Sequence, residues 1–476
     1  MLNGRVSKPD HPPSRRQQLF AIDLRSLALF RIAVGALILA SVARRIPDFR
    51  VFYTGEGVWP AAVAWAEDYA PGTWSLNFLD PSFGWQAGLA VAEAVAGLAL
   101  LLGWRTRIVT VLAWVLVASA HRRDVMIVSG ASHLLRQYLF WGMWLPLGAR
   151  WSLDARRRRA RGEQETSDAV LSMGSAALLL QVALVYAANA IYKSGLAWRT
   201  TGDAIWMVLS QEGYTRAAGR ALLAWPGLLR GLTHATFALE ALGPWLAFIP
   251  WRNVRWRLLA VALFISFHAA LAVTMTLGLF PLLSIAGWLV FIPGAVWERG
   301  TEGPRFRRSP WPVDAAVAAC FALVVCWNLR PVFPILKRLD PLGRVLRFEQ
   351  RWSMFAPTPR QVDTWWVVVG TDAAGAETDL WTGESPVNWK RPPDFDAFFP
   401  NDTWKLYLYN LRSGSAQRPR LFAEWLARRW QGQHPGAAPF TKLEIYQLEE
   451  SIYRRGEEPD NYLIYDSSAA SPPATP

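Results

Sequence analysis

The chain has 476 residues, of which 52% are hydrophobic, and its formal net charge is +13. A mean hydropathy of +0.13 is too apolar for an ordinary soluble enzyme of this length. Apolar blocks long enough for a helix to cross a bilayer recur along positions 21–329, which predicts a polytopic membrane protein. The arginines lie mostly in short loops between these blocks, which is typical of the positive-inside rule and of contact with the lipid bilayer. No nucleic-acid partner is therefore expected.

The order of the apolar blocks sets the predicted spans. Residues 1–18 are polar and basic, which predicts a disordered N-terminal tail. The first apolar block has no small-residue cleavage site, so we expect a retained helix. Nine spans are predicted, and the seventh and eighth are joined so tightly that one of them could be re-entrant. Their expected positions are 24–42, 83–102, 108–120, within 132–147, 169–192, 233–250, 258–275, 277–296 and 313–329.

Arginine-bearing loops orient this predicted bundle. With a cytoplasmic N-terminus, the loops after the even-numbered spans lie inside the cell, and they carry the arginines. Residues 199–232 are expected to form an amphipathic, interfacial connection. The chain after the ninth span then lies outside the cytoplasm. The loop arginines are Arg105, Arg107, those within 150–161, Arg252, Arg255, Arg257, Arg299, Arg305, Arg307 and Arg308.

The composition becomes that of a soluble protein from about position 330. The stretch VDTWWVVVGTDAAGAETDLWTG predicts a β-hairpin, residues 402–412 and 418–431 predict helices, and TKLEIYQLEE alternates like a strand. The fold class is therefore mainly α: a polytopic transmembrane helix bundle of about eight or nine spans with a small C-terminal α+β extramembrane domain. The predicted domains are a disordered tail (1–18), the bundle (19–330), the α+β domain (331–462) and a disordered end (463–476).

One lysine stands at the end of the fifth predicted span. Lys193 is the only lysine between Lys8 and Lys337 in a chain that otherwise uses arginine for positive charge. Arginine stays protonated, whereas a desolvated lysine can lose its proton and act as a base. The alternative is a lysine that extends to the membrane interface and serves as an anchor. The sequence alone leaves both interpretations open.

Other titratable residues lie in the predicted bundle. Cys320 and Cys326 are six positions apart, on different faces of one helix, so no disulfide between them is expected. No HxxxH or HExxH spacing places two ligands on one helix face, so no metal is predicted and helix–helix hydrogen bonds are favoured. The two glutamates are expected to pair with bundle arginines such as Arg25 or Arg31. The histidines and glutamates concerned are His121, His133, His234, His268, Glu93 and Glu240.

Several segments together resemble the HTTM-domain family, the bacterial relatives of the vitamin K-dependent gamma-glutamyl carboxylase. The YAANAIYKSGLAW segment resembles the carboxylase sequence around its catalytic lysine, and FEQRWSMFAPTP is similar to a stretch common after bacterial HTTM helices. The resemblance covers roughly residues 20–360. The remaining segments that carry it are LFRIAVGALILASVARRIPDFRVFYTGEG, SHLLRQYLFWGMWLPLGARWSLDARR and FHAALAVTMTLGLFP.

The resemblance implies a location in the bacterial inner (plasma) membrane and a set of functional residues. Lys193 matches the lysine that deprotonates a reduced naphthoquinone, such as menaquinol, and His133 matches a histidine that assists. Oxygen and carbon dioxide are the implied co-substrates, and the implied activity is that of a quinol- and oxygen-dependent epoxidase or carboxylase. The substrate or quinone pocket is expected to include His268, Tyr192, Trp198, Glu240 and His234. The C-terminal tail is much smaller than the corresponding domain of the carboxylase, which weakens the case for a protein substrate.

A second hypothesis is a non-catalytic membrane partner for maturation or export of a secreted peptide or protein, with the tail as the client-binding part. A transporter is disfavoured because the spans show no pair of corresponding interrupted helices.

Overall fold

The computed structural model describes residues 14–163, 165–297 and 305–468. Arg299 and much of both predicted disordered ends lie outside these ranges. The prediction of disorder is wrong for the described parts of those ends. Ser14 caps a helix that starts at Arg15, and the last strand continues to Asp466.

The described residues are mainly helical, with a smaller sheet near the C-terminus. The strands are β1 Ile22–Asp23, β2 Ala169–Val170, β3 Phe306–Arg307, β4 Val362–Asp372, β5 Glu377–Asp379, β6 Phe440–Ser451 and β7 Asp460–Asp466. The α-helices are α1 Arg15–Phe20, α2 Leu24–Arg45, α3 Phe49–Tyr53, α4 Ala61–Asp68, α5 Phe83–Leu102, α6 Thr106–Arg123, α7 Gly130–Gly142, α8 Leu153–Ala160, α9 Met173–Tyr192, α10 Leu196–Arg199, α11 Ala204–Ser210, α12 Ala217–Leu222, α13 Pro226–Leu246, α14 Asn253–Thr274, α15 Phe280–Leu289, α16 Trp311–Leu329, α17 Asp340–Val345, α18 Phe395–Phe398, α19 Asp402–Asn410 and α20 Gln417–Gln433.

Within the described residues, five helices are long and apolar enough to cross a membrane: α2, α5, α9, α14 and α16. On α5 the residues Val91, Val95, Leu98 and Leu102 repeat at helical spacing, and each is between 46% and 63% exposed. A continuous apolar row of this kind is stable next to hydrocarbon and costly in water. The outer face of α5 is thus apolar enough to lie against lipid.

The eighth predicted span differs most from the structure. Within positions 277–296 only α15 is α-helical, and at 1.5 Å per residue its 10 residues cover about 15 Å. Pro281 lies in its first turn and Pro293 follows its end, where the chain continues as a short 3-10 helix. Proline in the first turn is compatible with a helix, whereas one further along removes a backbone donor and prevents continuation.

The bundle packs around α2 and α9. Helix α2 packs against α5 and α15, and α9 packs against α13 and α16. The short strands β1, β2 and β3 form a small sheet beside the start of α2 and α9, with β1 and β2 antiparallel and β2 and β3 parallel.

The tail forms a four-stranded antiparallel sheet in the order β5-β4-β6-β7, with α19 and α20 packed nearby. The predicted β4–β5 hairpin is confirmed, as are the two helices and the β6 strand. The hydrophobic core of this sheet also includes Phe52 and Trp59 from the segment after α2. The indole nitrogen of Trp404 donates to Asp48 Oδ1 at 2.9 Å. The tail therefore shares its core with a segment of the predicted bundle.

An ion network joins the sheet to the connection after α11. The backbone nitrogen of Glu212 donates to Asp363 Oδ1 at 2.9 Å, and Arg455 Nη2 donates to Asp363 Oδ2 at 3.2 Å. Arg391 Nη2 lies 2.7 Å from Glu212 Oε2. Burial raises the pKa of Asp363 to about 6, and the nearby arginines offset only part of that rise.

Candidate functional site

The site is organised by one face of α9. Tyr186, Asn189 and Lys193 are spaced three and four residues apart, so the helical repeat places their side chains in one row. Lys193 is the residue that follows the last turn of the helix, and its backbone nitrogen still donates to the carbonyl oxygen of Asn189 at 3.0 Å. The row faces α13 and α14, which supply the partners of its polar groups.

Lys193 and Glu240 form a buried ion pair. The distance from Lys193 Nζ to Glu240 Oε2 is 2.6 Å, and the two residues are 2% and 4% exposed. Asn189 Nδ2 donates to both carboxylate oxygens at 3.1 Å, which fixes the orientation of the carboxylate. Burial of each charge is offset by the opposite charge and by these hydrogen bonds.

An aromatic ring covers the lysine ammonium group. Lys193 Nζ lies 3.8 Å from the centroid of the Trp198 ring, within the range of a cation–π interaction. The indole nitrogen of Trp198 donates to the carbonyl oxygen of Phe355 at 2.8 Å. The backbone nitrogen of Gly195 donates to the carbonyl oxygen of Pro357 at 3.1 Å, and a side chain at Gly195 would collide with that segment. The segment around WSMFAP thus packs over the turn that carries Lys193.

One helical turn before Asn189, the row continues with Tyr186, which contacts His268 of α14. The Tyr186 hydroxyl donates to or accepts from His268 Nε2 at 2.7 Å, and the indole nitrogen of Trp288 donates to the same hydroxyl at 3.0 Å. His268 is 1% exposed. Within the described chain, His268 Nδ1 and Asn189 Oδ1 are buried polar atoms with no hydrogen-bond partner. Such atoms are sites at which a ligand hydroxyl can bind.

The lysine can become a free amine within this arrangement. Lys193 lies one residue beyond α9, and burial lowers the pKa of its ammonium group, while Glu240 opposes that shift. A proton on Nζ can move along the 2.6 Å hydrogen bond to Glu240 Oε2, which leaves a neutral pair. In a weakly polar environment a neutral pair avoids the desolvation of two charges. The pair can therefore store a proton beside a basic nitrogen.

The predicted site residues do not form a single cluster. Lys193, Glu240 and Trp198 meet, and His268 lies in the adjoining layer of the same row. Tyr192, by contrast, is half-exposed and His234 is exposed. The prediction that these two belong to one enclosed pocket is not supported by their exposure.

His133 lies in another group. His133 Nδ1 is 2.9 Å from Arg136 Nη2, and its ring packs edge-on against Trp352. Because arginine can only donate, Nδ1 must accept, which makes the histidine neutral. The described residues show no hydrogen bond between His133 and Lys193.

No family model matches the chain, and the searches found no similar curated protein or solved structure. The function therefore has to be argued from the geometry of the chain itself. That geometry includes a buried lysine–glutamate pair, an aromatic cover and two unpaired polar atoms.

Both buried glutamates form ion pairs, and Glu93 does so with a bundle arginine as predicted, whereas the partner of Glu240 is a lysine. Glu93 pairs with Arg45 and Glu240 pairs with Lys193, whereas Arg25 binds Asp23. Arg31 Nη2 donates to the carbonyl oxygen of Trp151 at 2.6 Å. Glu93 reaches Arg45, and not Arg25 or Arg31, because α5 runs antiparallel to α2, which brings the middle of α5 to the end of α2 instead of to its start.

Among the described residues, no group of three or more histidine, cysteine, aspartate or glutamate side chains is close enough to hold a metal ion. Cys320 and Cys326 are free thiols.

Sequence reasoning missed Asn189 as the residue that orients the carboxylate, and it missed Tyr186 as the link to His268. Their spacing from Lys193 on a single helical face was the available signal. Arg136 and Arg347 were missed as well, because their burial depends on contacts distant in sequence.

Proposed function

We propose that the chain is a multi-pass protein of the bacterial inner membrane in which Lys193 acts as a base toward a reduced naphthoquinone, in an oxygen-dependent epoxidase- or carboxylase-like reaction. Eight or nine crossings, a cytoplasmic N-terminus and an extracytoplasmic tail belong to this proposal. The observation that carries it is the burial of Lys193 against Glu240 beneath the Trp198 ring. A lysine used as an anchor would instead extend its ammonium group to water or headgroups.

The residues around Lys193 are of the kinds that bind a flat, apolar ring with hydroxyl groups. Trp198 belongs to an apolar cluster with Met207, and Phe237 and Phe355 pack against that cluster. Aromatic faces favour planar ligands, and few but well-placed polar atoms orient them. Asn189 Oδ1 offers an unpaired acceptor for a ligand hydroxyl.

The chain's own residues would perform the proton chemistry. When bound, a reduced naphthoquinone supplies the electrons that reduce dioxygen. Lys193 Nζ, in its neutral form, accepts a proton from a ligand hydroxyl within hydrogen-bond reach. The Lys193 ammonium group that results is balanced by the ligand oxyanion, while the proton transferred earlier stays on Glu240. Asn189 keeps Glu240 oriented, and Trp198 covers the pair.

The test is formation of quinone epoxide by purified protein in detergent, supplied with reduced naphthoquinone and oxygen. Wild-type protein should form epoxide, and Lys193→Met, which keeps the length of the side chain, should not. Lys337→Met is the matched control because Lys337 is exposed, and it should retain activity. Equal epoxide formation by wild type and Lys193→Met would refute the assignment of the base.

A second candidate function is binding of a secreted client, and the edge of the tail sheet favours it. Among the described strands, β7 lies at the edge of the sheet and pairs with β6 alone, and Tyr462 and Leu463 are 37% and 53% exposed. An exposed edge can accept an extended peptide as a further strand. In that case maturation of the client should survive Lys193→Met and fail in Leu463→Pro, since proline removes a backbone donor from the edge.

A further inference from the structure

A second buried group of charges lies where the end of α6, the start of α7 and the segment after α17 meet. It consists of Arg122, Arg136 and Arg347 with Glu349, next to His121 and His133, and we refer to it as the arginine cluster. Arg136 and Arg347 are 3% and 1% exposed. The charges of Arg122, Arg136 and Arg347 interact with one another and with the Glu349 carboxylate.

The arginine cluster holds more positive than negative charge. Three guanidinium groups, which stay protonated at any accessible pH, face one carboxylate, and Arg347 Nη1 lies 3.3 Å from Glu349 Oε2. Of the nearby acids, Asp68 and Asp124 lie 2.7 Å and 3.4 Å from Arg418, and Asp68 also interacts with Arg122. The two buried guanidinium groups, Arg136 and Arg347, therefore share the single carboxylate of Glu349, which leaves an excess of positive charge.

Several nitrogen atoms of the arginine cluster donate no hydrogen bond to any described residue. Arg136 Nη2 donates to the carbonyl oxygen of Glu349, and Arg347 Nη2 donates to the carbonyl oxygen of Ala118. Within the described ranges, the buried guanidinium nitrogens of the cluster without a hydrogen bond are Arg122 Nε, Arg136 Nε, Arg347 Nε and Arg347 Nη1, the last of which lies in the ion pair with Glu349. Buried charged donors without acceptors are unfavourable, so a ligand that supplies acceptors and negative charge would stabilise the fold.

The backbone supports this placement of Arg347. Its φ angle is +57°, a left-handed conformation that is uncommon for residues other than glycine. Gln137 Nε2 donates to the carbonyl oxygen of Arg347 at 3.2 Å and helps to hold that conformation. Strained residues of this kind persist where the surrounding structure fixes them, often at ligand sites.

We propose that the arginine cluster binds a small oxyanion, either a carboxylate or a phosphate group. The forked N–H donors of guanidinium match two oxygen atoms of one anion, which a spherical ion such as chloride cannot provide. Glu349, with its side chain 26% exposed, marks the side from which the anion enters. The inference stands without the proposed role of Lys193, since no hydrogen bond among the described residues joins the two groups.

The experiment measures thermal unfolding of the full-length protein in detergent by tryptophan fluorescence. Sodium phosphate or sodium acetate replaces sodium chloride at constant ionic strength. The midpoint temperature of unfolding should rise with the concentration of one of these oxyanions and reach a plateau. Arg136→Gln and Arg347→Gln should weaken the apparent affinity about tenfold or more, the effect of one lost charged hydrogen bond. Glu349→Gln should strengthen it, because the variant removes a competing negative charge without truncating the side chain.

The control is Arg107→Gln, which removes one positive charge from the exposed, opposite end of α6 and should leave the affinity unchanged. A parallel titration uses phosphatidylglycerol in phosphate-free buffer. A response to soluble phosphate or acetate identifies a free anion as the ligand, and a response to the lipid alone identifies a headgroup phosphate. If neither has an effect, or if Glu349→Gln weakens the response, the proposal is wrong. Glu349→Gln keeps the test decisive even if the arginine variants fail to fold.

Discussion

Removing the carboxylate of Glu240 isolates the energetic role of the buried pair. Glu240→Gln preserves the shape of the side chain but leaves the Lys193 ammonium group without its counter-charge, at a position 2% exposed. The amide of Asn189 also loses a charged acceptor, although a neutral hydrogen bond can replace it.

The expected cost follows from two alternatives for the lysine. An unpaired buried charge costs about 3–5 kcal/mol. Release of the proton at pH 7 from a group with an ordinary pKa of about 10.4 costs about 4.6 kcal/mol, at about 1.36 kcal/mol for each pH unit. Since both alternatives cost about the same, Glu240→Gln should lower the free energy of unfolding by about 3–5 kcal/mol at pH 7.

The pH dependence gives the sign of the effect. In the variant the folded lysine has a lowered pKa, so the unfolded chain binds more protons and stability rises with pH. The rise should begin at lower pH than in the wild type and approach about 1.4 kcal/mol per pH unit. Denaturant unfolding in detergent between pH 6 and pH 10, followed by tryptophan fluorescence, measures it.

The matched control is the double variant Lys193→Met with Glu240→Gln, which contains neither charge. The free energy of unfolding of the double variant should not rise with pH in this way. It should also lie closer to that of the wild type than the value for Glu240→Gln does, because apolar replacement of a buried ion pair is often nearly neutral. The reasoning is refuted if Glu240→Gln matches the wild type in both stability and pH dependence.

Three further perturbations test the fold around the site. Gly287→Ala places a methyl group against the hydroxyl of Tyr138 and should lower the free energy of unfolding by about 1–3 kcal/mol. The control is Gly88→Ala, whose methyl group meets open space and should leave the free energy of unfolding unchanged or raise it. Glu93→Gln leaves a buried arginine unpaired and should cost about 3–5 kcal/mol by the same measurement; a change below about 1 kcal/mol would contradict the buried ion pair. The pKa of Asp363 is raised from 3.8 to about 6, so the folded chain binds more protons than the unfolded chain and the free energy of unfolding falls as the pH rises from about 4 to about 6. In Asp363→Asn, denaturant unfolding should show that fall reduced by about 3 kcal/mol. An unchanged pH profile would contradict the raised pKa.

The long helices were predictable because their length and hydropathy are local properties of the sequence. Helix α5 occupies the predicted positions 83–102, and α9 ends at Tyr192 as expected. Helix α13 begins at Pro226, earlier than the predicted 233, since proline suits the first turn of a helix even where the sequence is not yet apolar. The shortening of α15 depends on how its prolines fit the bundle, which hydropathy alone does not report.

The candidate site was predictable only in part. The single lysine at the end of an apolar helix indicated Lys193, and the apolar context of α13 indicated a buried Glu240. The pairing of these residues depends on which helices are neighbours, and a sequence without relatives does not fix that. For the same reason His133 was expected beside Lys193, whereas it contacts Arg136.

The proton affinity of Lys193 is the most direct test of the account. The chain contains six lysines, so selective carbon-13 labelling of the lysine ε-carbons gives a small set of signals that can be assigned with Lys193→Met. In a pH titration of the folded protein in detergent, the Lys193 signal should titrate below the ordinary lysine pKa of about 10.4. If Lys193 instead titrates near that ordinary value, it behaves as a solvated anchor and the account is contradicted.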